Sequence, residues 1–394
     1  MKKKHRGLNS ALGLLLLLTV FFPWVSFGLN SMDTQPWAFV VSIFFLLSCY
    51  RDITFNKLVW PIFLALFAVV SSLFYLGDDI ALIIRGVFSY WFLVTVFVAC
   101  WCYFSRYGYP CRTIYFCNLI YLVVAVVQYN YGEAVFDFIS IVRTTESRGV
   151  TSLAIEPTNF GLVLLLFSWF YLIIGEYRLN KLDKVFVFLN FFSILFLAKS
   201  SMTIVFIFIF FIFAVLYKLK IIHVIVLFSM FFFLGDVFVY LFPETRVSQL
   251  LVEVSYGGLL DLIKNDASLN YRMSSIIFPY QGLLGNFFIP GGFSSFKYIA
   301  IELKESSQGL FWYGEHKKIM SFVGSFIYEM GLIGLMFIGS FMISIQNGSY
   351  RRLLESVYLF LLLSMAIPVA SPIVAFLLCI LFYTKKHTTE RYAA

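Results

Sequence analysis

Apolar runs long enough to be membrane helices recur from one end of this chain to the other, and no other feature limits its fold so strongly. A run of about 15 to 25 apolar residues matches the hydrocarbon thickness of a bilayer, where only structures that satisfy their own backbone hydrogen bonds can span. The sequence therefore predicts one all-α polytopic membrane domain over residues 1–394, not two or three soluble domains. Composition agrees where it matters: only 13% of residues are charged, against about 25% in a soluble globular protein. The first run follows Met1-Lys2-Lys3-Lys4-His5-Arg6 and so imitates a secretory signal. It continues from Leu8 to about Leu29 without a small-residue cleavage site, and reads as a retained first helix.

Dividing the apolar runs at their Lys- and Arg-bearing breaks predicts about twelve transmembrane helices. Their centres fall near residues 18, 43, 67, 92, 121, 167, 191, 209, 231, 331, 360 and 376, with the weakest break at Lys199-Ser200-Ser201. With the amino terminus inside, the cytoplasmic segments hold 18 of the 29 basic residues. The opposite short loops, Asn30 to Pro36, Gly77 to Asp79 and Pro368 to Pro372, contain no Lys or Arg. That alternation is the positive-inside bias, and it predicts that both termini are cytoplasmic. The net charge of +8 is thus topological information and not a nucleic-acid footprint. None of the six cysteines lies in the largest loop, so neither a disulfide framework nor a thiolate metal site is expected.

Two segments break the rhythm, a shorter loop at 130–152 and a large one at 242–318, both expected on the non-cytoplasmic side. The large loop is balanced in charge and rich in glycine and aromatic residues. Loops this long in an otherwise economical fold are usually functional.

Ionisable residues in or beside apolar helices are the candidate site. Pro157 suits a first helical position, which makes Glu156 the expected cap, with free amides that favour its negative charge. The alternative is a capping carboxylate with two surface arginines, Arg143 and Arg148. Arg85 lies about one and a half turns into the fourth helix, where a guanidinium snorkels, pairs with an acid or faces a polar cavity. Its planar fork also suits phosphate oxygens. Lys199, at a hairpin tip, is either a further cation or an anchor. In the large loop, Asp266 to Arg272 begins a helix-like run, and Pro290-Gly291-Gly292-Phe293 marks a sharp turn whose glycines allow a ligand to approach the backbone. Glu329 falls about ten residues inside the apolar helix that follows, where a carboxylate is either paired or lines a cavity. His316 is a candidate general base or a lone surface histidine.

Several signatures are missing: a phosphate-binding Gly-rich loop with Lys-Ser/Thr, His-Glu-x-x-His, Gly-x-Ser-x-Gly, and a cytoplasmic Asp-x-Asp pair. A nucleotide-sugar or ATP-driven reaction inside the cell is not expected. Nor do matched, Gly- or Pro-interrupted helices suggest the inverted repeats of a secondary transporter.

At Arg148-Gly149 and Glu156-Pro157-Thr158-Asn159-Phe160-Gly161, at Asp266 to Arg272 and Pro290-Gly291-Gly292, and at Ser325 to Gly334, the chain resembles the bacterial O-antigen polymerase family. That family shares its architecture with the O-antigen ligases. The topology resembles theirs over the whole chain and the motifs over about a fifth of it. Where many relatives carry a His-Asn pair before the helix glutamate, this chain has Met320-Ser321, with His316 four residues earlier. The departure disfavours the ligase branch and leaves the base unassigned. The resemblance implies a GT-C-like fold with a large periplasmic loop, in the cell inner membrane. It implies glycosyl transfer from undecaprenyl diphosphate-linked polysaccharide onto an incoming lipid-linked repeat unit, in lipopolysaccharide biosynthesis. Glu156, Glu329 and His316 are then the catalytic candidates. Arg85, Arg143, Arg148, Lys199, Arg246 and Arg272 are the candidates for binding diphosphate and glycan. No cofactor and no metal is expected, because the donor is already activated. The implied partners are the lipid-linked oligosaccharide and polysaccharide, membrane lipids, a chain-length regulator protein and a flippase. A ligase, or a lipid-linked oligosaccharide flippase or transporter, is the alternative. A flippase should carry charges through the depth of a central cavity, whereas here they cluster at the non-cytoplasmic ends of the helices.

Overall fold

A computed structural model of the protein describes residues 2–26, 34–50, 55–73, 79–136, 138–140, 142–144, 149–216, 236–237, 239–240, 246–314, 318–346, 349–365 and 367–393. Among the described residues the secondary structure is helical, without strands. Among the described residues, three helices are long and apolar enough to cross a membrane: α4 (Ile80–Tyr107), α5 (Cys111–Tyr131) and α6 (Pro157–Ile174). Shorter apolar stretches lie at Asn9–Phe21, Trp37–Ser48, Val59–Ser71, Ser201–Phe213, Gly331–Ile345 and Pro372–Thr384. They belong to α1 (Lys2–Phe21), α2 (Trp37–Ser48), α3 (Phe55–Ser71), α8 (Ser201–Leu216), α13 (Gly331–Ile345) and α15 (Pro372–Ala393). Each coincides with an expected run; the run centred near 231 lies outside the described residues. The remaining elements are α7 (Lys181–Ser193), α9 (Arg246–Asn265), α10 (Ala267–Gly285), α11 (Phe296–Ser306), α12 (Phe322–Glu329) and α14 (Tyr350–Ser364).

The chain forms two units, one of residues 1–62, 92–207 and 370–394, the other of 63–91 and 208–369. In the first, α6 is the core. It is apolar on every face, the pattern of a helix surrounded by others, and α5, α7 and α15 pack around it. Phe21, Phe167, Phe170 and Phe376 form an aromatic cluster with Phe21–Phe376 and Phe170–Phe376 centroids 4.9 and 5.0 Å apart. Two polar pairs lie inside this unit: Asn118 Nδ2 donates to Tyr171 Oη at 2.9 Å, and Asn190 Nδ2 to Ser168 Oγ at 3.0 Å. The weak break at Lys199 is a hairpin tip. A turn of π-helix over Ile194–Ala198 ends at Lys199 in the left-handed conformation (φ 47°), and α8 begins two residues later.

In the second unit the described part of the large loop, residues 246–314, is mostly helical and shares a core with the segment that follows it. Asp266 caps α10 by accepting from the Leu269 amide at 2.7 Å, as its position before a helix-like run suggests. Ile263, Phe278, Phe296, Ala300, Phe311, Ile319 and Tyr328 are buried together. Asn270 ties the 310–313 turn to this core with all four of its hydrogen-bonding positions. Its Nδ2 donates to the Ile263 and Leu310 carbonyls, and its Oδ1 accepts from the Trp312 and Tyr313 amides. Helix α10 packs on α12, and α12 in turn on α13 and α14.

Candidate functional site

The helix that carries Glu329 corrects the sequence expectation. Glu329 does not lie ten residues inside a continuous span. Helix α12 starts late, where Ser321 Oγ accepts from the Gly324 amide at 2.9 Å, and Glu329 is its last residue. Gly331 then takes φ +60° and opens α13. A Cβ at Gly331 would stand 2.5 Å from the Phe288 carbonyl oxygen, so both the turn and the close contact require glycine. A break between helices frees backbone groups that need other partners. Here the Leu332 amide is satisfied by the Phe288 carbonyl at 2.9 Å.

The Glu329 carboxylate is half-buried at this break. Tyr90, fully buried on α4, donates from its hydroxyl to Glu329 Oε2 at 2.6 Å. The phenol ring is held edge-on by Phe326 at 5.0 Å and tilted against Phe293 at 5.9 Å. Phe326 lies one turn before Glu329 on α12, so the same helix supplies the acid and the ring that steadies its donor. One carboxylate oxygen is thereby occupied, and among the described residues no donor reaches Oε1. Arg85, five residues before Tyr90 on α4, is exposed. In the same unit Arg272 is half-buried in the second turn of α10, and Arg246 opens α9.

The turn at Pro290-Gly291-Gly292 is present, but its close approach is to the protein itself. The Gly291 amide donates to the Tyr328 carbonyl at 2.8 Å, and the Tyr328 ring fills the space where a Gly291 Cβ would point. The tightness of this turn packs the 290–295 segment against α12 and leaves that space closed to a ligand.

The other expected residues lie in the first unit, on the loop leading into α6. Glu156 is the N-cap residue and Pro157 the first helical residue, as the spacing suggests. Contrary to expectation, the Glu156 side chain makes no capping hydrogen bond. Its backbone is extended, and the half-buried carboxylate is not spent on the helix end. The Arg143 amide donates to the Ile155 carbonyl at 2.8 Å, which brings the Arg143 and Glu156 backbones together. The Val150 amide donates to the Leu197 carbonyl at 2.9 Å, placing the Gly149-Val150 stretch beside the hairpin that ends in exposed Lys199. Gln128 fastens the loop: its Nε2 donates to the Ser152 carbonyl at 3.1 Å and its Oε1 accepts from the Ser152 amide at 2.6 Å. Ser152 is buried in the left-handed conformation (φ 54°) and donates from Oγ to the Tyr121 carbonyl. Arg148 and His316 lie outside the described residues, as does the Arg246 side chain.

Sequence reasoning missed Tyr90 and Gln128. A carboxylate drawn partly out of water demands a donor, but the chain offers 24 tyrosines, and nothing local marks Tyr90 among them. Gln128 is the one strongly polar amide in the last two turns of an apolar helix before Asn130, a weak signal that it turns inward.

Fold and site together define a helical membrane protein with a hydrogen-bonded carboxylate at a broken helix. No family model, curated protein or solved structure matches the chain.

Proposed function

We propose that this chain is an O-antigen polymerase of the cell inner membrane. In this reading it transfers undecaprenyl diphosphate-linked polysaccharide onto an incoming lipid-linked repeat unit at the periplasmic face, with both termini cytoplasmic. The observation that carries the reading is the Tyr90–Glu329 pair. It provides a carboxylate oriented by a buried donor, with its second oxygen reached by no donor among the described residues, at the break of a membrane helix. Packing of the helical 246–306 region on α12 adds support, because a large extramembrane structure resting on the acid-bearing helix suits a transferase better than a flippase.

In this mechanism the acceptor sugar hydroxyl passes its proton to Glu329 as its oxygen attacks the anomeric carbon of the donor. The bond from that carbon to the diphosphate oxygen breaks, and the diphosphate leaves with the electron pair. A sugar hydroxyl is a weak acid, so a positioned base contributes about 10²- to 10⁴-fold. Arg85 and Arg272 meet the charge on the leaving group through bidentate hydrogen bonds, the task for which guanidinium geometry is suited. The diphosphate is a good leaving group already, so the transfer needs neither nucleotide nor metal. Arg143, Arg148, Lys199 and Arg246 are further cation candidates, and Glu156 and His316 the alternative bases.

Deleting the gene tests the reading against its alternatives. A polymerase mutant makes lipopolysaccharide capped by one repeat unit. Uncapped core with polymer retained on the carrier lipid would instead indicate a ligase. Single lipid-linked units trapped inside the cell would indicate a flippase.

A further inference from the structure

The large-loop region is not wholly a water-facing structure. Between Arg272 and Lys297 the sequence has no Lys, Arg, Asp, Glu or His. At the centre of that stretch the chain leaves α10 and turns through Asn286 to Ile289 with large apolar side chains pointing outward. Phe287 is 85% exposed and Ile289 53%, with Leu284 and Phe288 exposed beside them. The segment is level with the start of a membrane helix, because the Leu332 amide in the first turn of α13 donates to the Phe288 carbonyl at 2.9 Å. Helix α13 carries no charged residue, and its exposed side chains there, Leu332 and Met336, are also apolar. The exposed apolar surface of the turn therefore continues that of the helix.

The backbone is also prepared for a dry environment. The amides of Asn286, Phe287, Phe288 and Ile289 donate to the carbonyls of Gly282, Leu284, Leu283 and Asn286, and the Gly291 amide donates to Tyr328. Pro290 has no amide hydrogen. Every N–H from 286 to 291 thus has an acceptor within the protein, the condition a non-helical segment must meet to enter hydrocarbon. A turn exposed to water has no such need, since water accepts from its amides.

We infer that the Leu284–Ile289 turn inserts into the bilayer and contacts lipid acyl chains, as a membrane-embedded wedge beside the break that carries Glu329. The inference rests on the membrane character of α13 and is independent of the proposed chemistry. The test uses the unmodified full chain in vesicles of phosphatidylethanolamine and phosphatidylglycerol containing a phospholipid with a photoactivatable diazirine in its acyl chain. A water-soluble diazirine is used in a parallel sample. After illumination, modified peptides are mapped by mass spectrometry. Residues 284–289 are expected to take the acyl-chain probe as strongly as α13, and about tenfold more than α11, since lipid-exposed surface is what the probe samples. Labelling of 284–289 by the aqueous probe at the level of α11 would overturn the proposal. Labelling by neither probe would overturn it too, because another protein surface would then cover the turn.

Discussion

The Tyr90 hydroxyl and the Glu329 carboxylate meet at 2.6 Å although 239 residues separate them in the chain. The pair joins α4, which carries Arg85, to the broken helix that carries the proposed base. Tyr90 has no route to the reaction except through Glu329, so the two should act as a unit. Glu329→Gln is expected to lower polymerisation about a hundredfold or more, the scale of losing a general base. Tyr90→Phe should lower it about tenfold, the worth of one hydrogen bond to a charged acceptor. In the Glu329→Gln background, Tyr90→Phe should add nothing further. Chain-length ladders from complemented deletion strains give these rates; equal losses from Tyr90→Phe in both backgrounds would mean that Tyr90 is only a packing residue.

Gln128 and Ser152 test the loop that carries Arg143 and Glu156. Gln128→Ala removes the two hydrogen bonds between the Gln128 side chain and the backbone of the left-handed Ser152. It leaves the buried Ser152 amide unsatisfied and its carbonyl with only the long Thr151 hydroxyl contact, at a cost of about 1–3 kcal/mol. The expected outcome is a lower unfolding temperature of the purified protein and slower polymerisation. Unchanged values for both would show that the loop is held by its other contacts.

The cations are tested separately. Arg272→Ala and Arg148→Ala should each give the single-repeat phenotype with normal protein levels in the membrane, because a departing diphosphate loses a charge-assisted partner worth about 1.5–3 kcal/mol. Normal long chains from both variants would remove the phosphate-binding role from these arginines.

Much of this architecture was legible because its signals are local. Pro157 and Asp266 mark helix starts through rules of a single turn, and the Lys199 hairpin through a polar break between apolar runs. The break after Glu329 was not legible. Ser325 to Gly334 reads as one apolar helix, and only the Phe288 carbonyl, 43 residues before Gly331, reveals why glycine must turn there. The same holds for Tyr90 and for Asn270, whose partners lie on distant segments. Glu156 shows the converse: its position followed from local rules, but its side chain does not make the bond those rules favour.

Asn270 gives a stability test of the helical 246–314 region. Asn270→Ala removes four hydrogen bonds from a fully buried site and is expected to cost about 2–4 kcal/mol. Asn270→Asp should also be damaging, because its carboxylate would face the Ile263 and Leu310 carbonyls. Limited proteolysis should cut first near the 307–314 turn in both variants; cleavage at the wild-type rate would count against the role given to Asn270.

A buried ion pair on α14 offers an independent check on the second unit. Arg352 Nη1 lies 2.7 Å from Glu355 Oε2, and both residues are more than nine-tenths buried. Arg352→Ala leaves the carboxylate with Arg351 alone and should destabilise by about 3–5 kcal/mol, whereas Arg352→Met with Glu355→Leu should cost less. Thermal unfolding in detergent compares them, and a double variant less stable than Arg352→Ala would contradict this reading.

Reconstitution tests the central claim most directly. The purified chain, alone in vesicles with undecaprenyl diphosphate-linked repeat units, is predicted to form longer lipid-linked glycan and to release one undecaprenyl diphosphate for each new linkage. The Glu329→Gln protein should form both about a hundredfold or more slowly. Failure of the wild-type chain to extend the glycan beyond one repeat, or extension undiminished by Glu329→Gln, would contradict the account.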